Sequence, residues 1–349
     1  MNTDGVERAR LKSLVERALA DFLALRADEL PAGEDATLIE EVARMVNAGG
    51  KRMRPEFCYW GFRAGGGTVQ GPILRVAAAL ELLHTFAIVH DDVMDASLLR
   101  RGQPTVHRRI GSDHPGVPGA DRFGESSAVL VGDLAAVLAD ELFATSGFEP
   151  EALARGAAWY AAMRREVIRG QFLDLLAAFR GGASSQDARR IASLKSGGYT
   201  VEKPLLIGAA LAGGDPELLS RLSAYGRPLG EAFQLRDDVL GTFGEPGETG
   251  KDADGDLLEG KQTMLVAIAR ERADGSERHF LDTSLGRRDL GPADVERLRT
   301  LLIDTGALDT TNALIAELTD NALAIARTFP EDVASALADL AHDAAVRRV

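Results

Sequence analysis

Residues Glu81 to Asp95 read ELLHTFAIVHDDVMD, and this stretch decides the fold. Its apolar residues recur at helical spacing and are continuous enough to be buried, and the run ends on three carboxylates. On such a helix Asp91 and Asp95 lie four apart and face the same way, about 6 Å along the axis, with Asp92 beside them. Like charges so placed repel, and the dipole of a helix C-terminus disfavours them further. A hard divalent cation compensates, because Mg²⁺ typically takes one or two carboxylates and shares its other positions with water and phosphate oxygens. The alternative is a solvated acidic helix end, and the stretch by itself leaves both readings open.

Outward from it, apolar residues keep the same three- and four-residue spacing, as at Leu11, Leu14, Val15, Leu19, Phe22 and Leu23. The reading is all-α, one helical domain over 1–349. Helices are expected near 5–30, 36–47, 54–64, 72–97, 126–146, 149–179, 186–195, 199–213, 216–243, 262–274, 292–305, 308–328 and 331–346, each bounded by Gly, Pro or capping residues. Two stretches read as loops: Gly111 to Gly124, GSDHPGVPGADRFG, and Thr242 to Gly260, rich in glycine and acid.

Composition narrows the function. A net charge of −13 is the wrong sign for a nucleic-acid binder or for a surface that greets anionic lipid. Cys58 is the only cysteine, which rules out an internal disulfide and a Cys-based metal site. The N-terminal residues mix charge with apolar residues, unlike a secretory signal, and no stretch reaches about 18 unbroken apolar residues. A soluble, cytoplasmic protein without stable membrane insertion is expected.

Basic groups flank the acids. GGKRMRP, Gly49 to Pro55, sets Lys51 and Arg54 beside two glycines at a helix start, where free backbone N–H groups favour an anion. Arg100 and Arg101 in RRGQPTVH follow the acids closely, and arginine forks match phosphate oxygens. A second apolar helix ends in acids in GEAFQLRDDVLG, which supplies Gln234, Asp237 and Asp238. The next loop adds Lys251, Asp256 and Lys261. LKSGGYTVEKP offers Lys195 and Ser196 before a glycine pair, and Gln171 and Asp174 in GQFLDLL share one side of the preceding helix. Singly these residues read as turns, packing residues or solvated charges. Together they describe a site for several metals and more than one diphosphate.

In that order the motifs resemble the trans-isoprenyl diphosphate synthases, the farnesyl and geranylgeranyl diphosphate synthase group, over most of residues 45–265. The resemblance implies an all-α bundle around a deep cavity, two acidic helix ends facing each other across its mouth, and usually a homodimer. It implies Mg²⁺, three ions per site: Asp91 and Asp95 would hold two of them on the allylic diphosphate, with Asp92 in support and Asp237 holding the third. Arg100, Lys195, Ser196, Gln234, Lys251 and Lys261 would contact that same diphosphate, while Gly50, Lys51, Arg54, His84 and Arg101 would hold isopentenyl diphosphate. His84 reads as an anion contact, not a general base.

This chain departs from the family pattern at Gly241, where an aspartate is frequent, so that the metal grip there would fall to Asp237 with Asp238 behind it. Ser196 stands where threonine is usual, and Asp254 with Gly255 shifts the capping-loop glycine. Arg347 and Arg348 read as a solvated tail. Phe86 and Ala87, about one turn deeper than Asp91, resemble members that stop at geranylgeranyl diphosphate, whereas two adjacent aromatics would favour farnesyl diphosphate. A terpene cyclase, which needs no isopentenyl site, and a non-catalytic synthase partner subunit are the rival readings.

Overall fold

The structure is a computed structural model and describes residues 3–29, 33, 36–68, 70–244 and 255–346. It is almost wholly helical, as the apolar spacing requires. Packing groups the chain into two compact units, Met1–Gly156 with Gly208–Gly213, and Ala157–Ile207 with Gly214–Val349.

The first unit runs α1 (Thr3–Ala27), α2 (Thr37–Asn47), α3 (Met53–Ala64), α4 (Gln70–Met94), the short antiparallel ribbon β1 (Leu99–Arg100) and β2 (Gln103–Pro104), α5 (Val106–Ser112), α6 (Ala120–Ala144) and the start of α7 (Pro150–Phe179). Its spine is α4. Ile73, Val76, Leu80, Leu83 and Val89 are buried there, and the run Ala77 to Ala79 presents only methyl groups, so α3 and α6 pack closely on it. Although charges interrupt its apolar run, α4 is long and apolar enough by composition to cross a membrane, with a mean hydropathy of 1.6. Because 61% of that stretch is buried inside the protein, α4 is a core helix.

The loop expected over 111–124 is shorter in the structure. Gly111 and Ser112 end α5, a helix absent from the expectation, and α6 begins at Ala120 instead of 126. Gly124 reads as a loop residue in sequence but is a packing residue. A Cβ on it would lie 2.9 Å from the Gly111 nitrogen, so its absence lets α6 sit directly on the α5 backbone.

The second unit contains the rest of α7, then α8 (Ser185–Ala192), a π-helical segment (Ser193–Glu202), α9 (Lys203–Ala212), α10 (Pro216–Phe243), α11 (Gly255–Leu258), α12 (Met264–Arg272), α13 (Gly275–Ser284), α14 (Pro292–Asp304), α15 (Ala307–Ala326) and α16 (Glu331–Val346). Its spine is α10, which packs on the π-helical segment, α15 and α16. Asp215 starts that helix by accepting a hydrogen bond from the Leu218 N–H at 2.8 Å. Leu235, Val239, Leu257, Leu265, Ile268, Leu298 and Leu302 form the core below the acidic end of α10. The break expected between 195 and 199 does not occur, because a widened π turn carries the chain through the glycine pair. Sequence spacing also missed α13, although Asp274 and Glu277 form a capping box at its start.

Candidate active-site residues

The α4 end carries the three predicted acids Asp91, Asp92 and Asp95. Asp91 is half-buried, and the Asp95 N–H donates to its carbonyl at 2.8 Å, so the two carboxylates leave the same helical face. The helix then closes with Ala96 in the left-handed region at φ 50°, its N–H and that of Ser97 turning back onto Val93 and Asp92. A non-glycine residue in that conformation costs about 1–2 kcal/mol. That strain sits one residue beyond the acids. Asp92 is buried, and Arg100 Nε donates to its Oδ1 at 2.9 Å. Arg100 stands in β1, and the turn Arg101-Gly102 with φ 53° and 72° reverses the chain as tight hairpins do.

Two turns earlier on α4 lies His84. Burial pushes its imidazole well below the usual range, and Arg54, Arg101, Arg100 and Arg52 push it further down. The same crowding acts on the Arg101 guanidinium, which burial lowers and to which Arg52, Arg100 and Arg54 add repulsion, partly offset by Glu81. Arg101 Nη1 donates to the Gly49 carbonyl, and its Nη2 would stand 3.1 Å from any Cβ on Gly50. Clustered cations around a neutral histidine and a bare glycine backbone define a place for a polyanion. The structure thus gathers Gly50, Arg54, His84 and Arg101; Lys51 is exposed. Sequence reading missed Arg52, whose Nη1 donates to Glu81 at 2.6 Å and whose Nη2 donates to the Val46 carbonyl at 2.6 Å. Its signal was the acid Glu81 one turn before His84.

In the second unit, Lys195 Nζ donates to Asp174 Oδ2 at 2.7 Å, with Ser196 next to it and half-buried. Gly197 and Gly230 let the π-helical segment touch α10 backbone to backbone: a Cβ on Gly197 would be 2.9 Å from the Gly230 carbonyl carbon. At the far end of α10, Gln234 Nε2 donates to Asp238 Oδ1 at 2.7 Å. The Asp238 carboxyl is pushed up to about 8, chiefly by burial, then by the charge of Asp256 and that of Asp237, against the lowering influence of Gln234 and Lys261. Lys261 Nζ bridges Asp256 Oδ1 at 2.8 Å and Glu259 Oε2 at 3.0 Å. Lys251 and Asp254, as well as Arg347 and Arg348, lie outside the described residues.

Among the described residues no three His, Cys, Asp or Glu side chains are gathered closely enough to cage a metal ion. The donors nonetheless fit Mg²⁺, which needs only one or two carboxylates and takes water and phosphate oxygens for the rest. A carboxyl pushed up to about 8, chiefly by burial and then by the charges of Asp256 and Asp237, is also a group that an added cation would relieve.

Oxygen-only acids beside clustered guanidinium and ammonium groups on an all-α frame define a class, that of helical proteins built to handle diphosphates. Comparison with known proteins agrees with that class. Residues 36–302 match the family described as Polyprenyl synthetase. The chain is 31% identical over 304 residues to the geranylfarnesyl diphosphate synthase of Aeropyrum pernix, covering 85% of this chain and 86% of that protein. It is 32% identical over 253 residues to the short chain isoprenyl diphosphate synthase of Methanothermobacter thermautotrophicus, covering 72% and 73%. The crystal structure of geranylgeranyl pyrophosphate synthase from Corynebacterium glutamicum, complexed with isoprenyl diphosphate and magnesium, matches with a TM-score of 0.93 at 35% identity, over 97% of this chain and 99% of that one. The chain belongs to the polyprenyl synthetase family and is a prenyltransferase of the trans-prenyl diphosphate synthase type.

Proposed function

We propose that this enzyme condenses isopentenyl diphosphate head to tail with dimethylallyl, geranyl and farnesyl diphosphates, using Mg²⁺, and stops at geranylgeranyl diphosphate. The carrying observation lies on one helix: four guanidiniums surround His84, and Asp91 follows seven residues later, about 10 Å along α4. One site rich in arginine followed by one rich in carboxylates suits two diphosphates, of which only the allylic one must leave. A terpene cyclase has no use for the first. In this reading Asp91, Asp95 and Arg100 are the first unit's contacts for the allylic diphosphate, and Asp237, Lys195, Ser196, Gln234 and Lys261 are the second unit's diphosphate contacts.

Bound Mg²⁺, three ions by likeness to the family, would stabilise the charge that develops on the departing diphosphate. Arg100, Lys195 and Lys261 orient that group and add fixed positive charge, while the crowded arginines at His84 hold the isopentenyl diphosphate so that its double bond meets the allylic carbon. His84 stays neutral in the free protein and serves as a hydrogen-bond donor to the anion. Breaking the allylic carbon–oxygen bond and forming the new carbon–carbon bond leaves a cation on the isopentenyl unit, which restores its double bond by losing a neighbouring proton to the departed diphosphate. Phe86, whose ring meets that of His90 edge to face at 4.8 Å, would bound the growing chain beside the small Ala87.

Relatives that make geranylfarnesyl and short-chain products leave length open to test. The reading also carries a cytoplasmic homodimer, for which the exposed Phe123, Val129, Leu130 and Val137 on α6 supply an apolar face. Incubating the purified chain with isopentenyl diphosphate, each allylic primer and Mg²⁺, then chromatographing the dephosphorylated products, tests the activity. Geranylgeraniol as the major alcohol supports it; no Mg²⁺-dependent elongation from any primer refutes it.

A further inference from the structure

Lys195 and Ser196 sit near the start of the π-helical segment, and its last residue, Glu202, is buried at 3% exposure in a cluster of charges that the reaction as described does not use. Glu202 Oε1 accepts from Arg227 Nε at 2.8 Å and from Ser223 Oγ, both on α10, and its Oε2 accepts from Lys203 Nζ at 2.9 Å. Lys203, equally buried, also reaches Glu166 Oε2 on α7 at 3.1 Å and lies 5.9 Å from the centre of the Trp159 ring. Burial pushes the Glu202 carboxyl up, but the bonds from Ser223, Lys203 and Arg227 and the charge of Lys203 outweigh it and hold the carboxyl below its usual range. The buried pair is therefore ionised.

A buried ion pair stabilises a fold poorly, because desolvation offsets its attraction, and well-packed apolar replacements are often as stable or more so. Its best-attested use is to fix register. The backbone here has a register to fix: π turns are rare, occur frequently at functional sites, and this one is packed between two helices with no slack. A Cβ on Gly170 of α7 would lie 2.7 Å from Lys195 Cα, one on Gly230 of α10 2.7 Å from Gly197 Cα, and one on Gly226 of α10 2.8 Å from Glu202 Cα. Backbone meets backbone at all three, so a slip at Glu202 is carried along the segment to Lys195 instead of being absorbed by side chains.

Resting on the functional reading above, we infer that Glu202 is a positioning residue for the proposed reaction: with Lys203 it pins the far end of the π-helical segment between α7 and α10, and so sets where Lys195 and Ser196 meet the diphosphate. Stability and binding then separate. Two methionines in place of the pair keep the volume filled, and Arg227, whose side chain is 72% exposed, can turn to water. The fold keeps its stability and the segment loses its register.

The test is a cycle of four proteins: the unmodified chain, Glu202→Met/Lys203→Met, Lys195→Ala/Ser196→Ala, and all four substitutions together. Each is read by melting temperature, by titration with inorganic pyrophosphate in the presence of Mg²⁺, and by kcat and KM for the allylic substrate. The methionine pair should melt at or above the unmodified temperature. It should nonetheless bind pyrophosphate about 10-fold more weakly, with kcat/KM down by up to about 100-fold, the scale of a misplacement by 1 Å through a remote substitution. In the background without Lys195 and Ser196 the same pair should change binding by less than about 2-fold, because the groups it misplaces are gone. Unchanged pyrophosphate affinity in Glu202→Met/Lys203→Met overturns the inference, as does an equal loss in both backgrounds, which is what a purely structural cluster gives. If the methionine pair does not fold, Ser223→Ala/Arg227→Met, which strips two donors from Glu202 and leaves Lys203 beside it, goes through the same cycle. A loss confined to the chain that keeps Lys195 and Ser196 supports the inference; no loss, or an equal one, overturns it. The two readings fail separately. Background-dependent pyrophosphate binding in a chain that transfers no prenyl group defeats only the proposed reaction, and Mg²⁺-dependent prenyl transfer indifferent to Glu202 defeats only this inference.

Discussion

Asp238 gives the sharpest handle on the candidate site, because its proton can be counted. With the carboxyl pushed up to about 8, roughly 90% of ligand-free molecules carry the proton at pH 7 and only about 10% at pH 9. A divalent cation and diphosphate bound beside Asp237 favour the ionised form, so binding at pH 7 must expel close to one proton, and at pH 9 close to none. Titrating Mg²⁺ with inorganic pyrophosphate in two buffers of different ionisation enthalpy yields the number released. Asp238→Asn removes this increment at pH 7 and leaves pH 9 nearly unchanged, which separates it from protons lost by pyrophosphate itself. The same shift acts on folding. Between about pH 4 and 8 the folded state holds a proton that the unfolded chain has given up, so the metal-free protein loses this stability progressively across that range and the loss levels off above about pH 8. Melting temperature without metal should therefore fall more steeply between about pH 5 and 8 in the wild type than in Asp238→Asn, with the two slopes converging by about pH 9. Equal proton release from both proteins at pH 7 would refute the account of this cluster.

The other expectations are simpler to read. Asp91→Ala should lower turnover by about 10²- to 10³-fold or more at saturating Mg²⁺, the size of a lost transition-state electrostatic contact, and wild-type rates would remove Asp91 from the metal site. Phe86→Ala should lengthen the product by opening the volume beside Ala87, seen as later-eluting alcohols; an unchanged product distribution discards the chain-length role. Gly230→Ala should destabilise by about 1–3 kcal/mol in urea denaturation, since its methyl would press on the Gly197 backbone, and a neutral result would mean the segment can move aside.

What could be read from sequence was whatever repeats locally. The helices of α4 and α10 were legible because burial on one side forces apolar residues into register, and the paired acids at their ends stood out because charge is costly there. Three things were not legible. Gly124 and the glycine pair at 197–198 looked like loop residues, since a sequence does not say whether a missing Cβ serves a turn or a backbone contact. The capping box at Asp274 belonged to a helix too short and polar to show an apolar stripe. Asp256 was visible as an acid in a loop, but its charge bears on Asp238 only once α11 has folded against α10.

A shared arrangement explains how a chain of net charge −13 can offer cations to a polyanion. Three side chains that resemble the family's diphosphate contacts are each held by an acid in their own unit: Arg100 by Asp92 at 2.9 Å, Lys195 by Asp174 at 2.7 Å, and Lys261 by Asp256 at 2.8 Å and Glu259 at 3.0 Å. Lysine and arginine lose about 2 kcal/mol of rotamer freedom when fixed, and here much of that loss accompanies folding instead of binding. The acids also cancel charge locally, so the cations are not driven apart before the ligand arrives. At His84 four guanidiniums press on one neutral ring, and of these Arg100 is also held by Asp92 and Arg52 by Glu81.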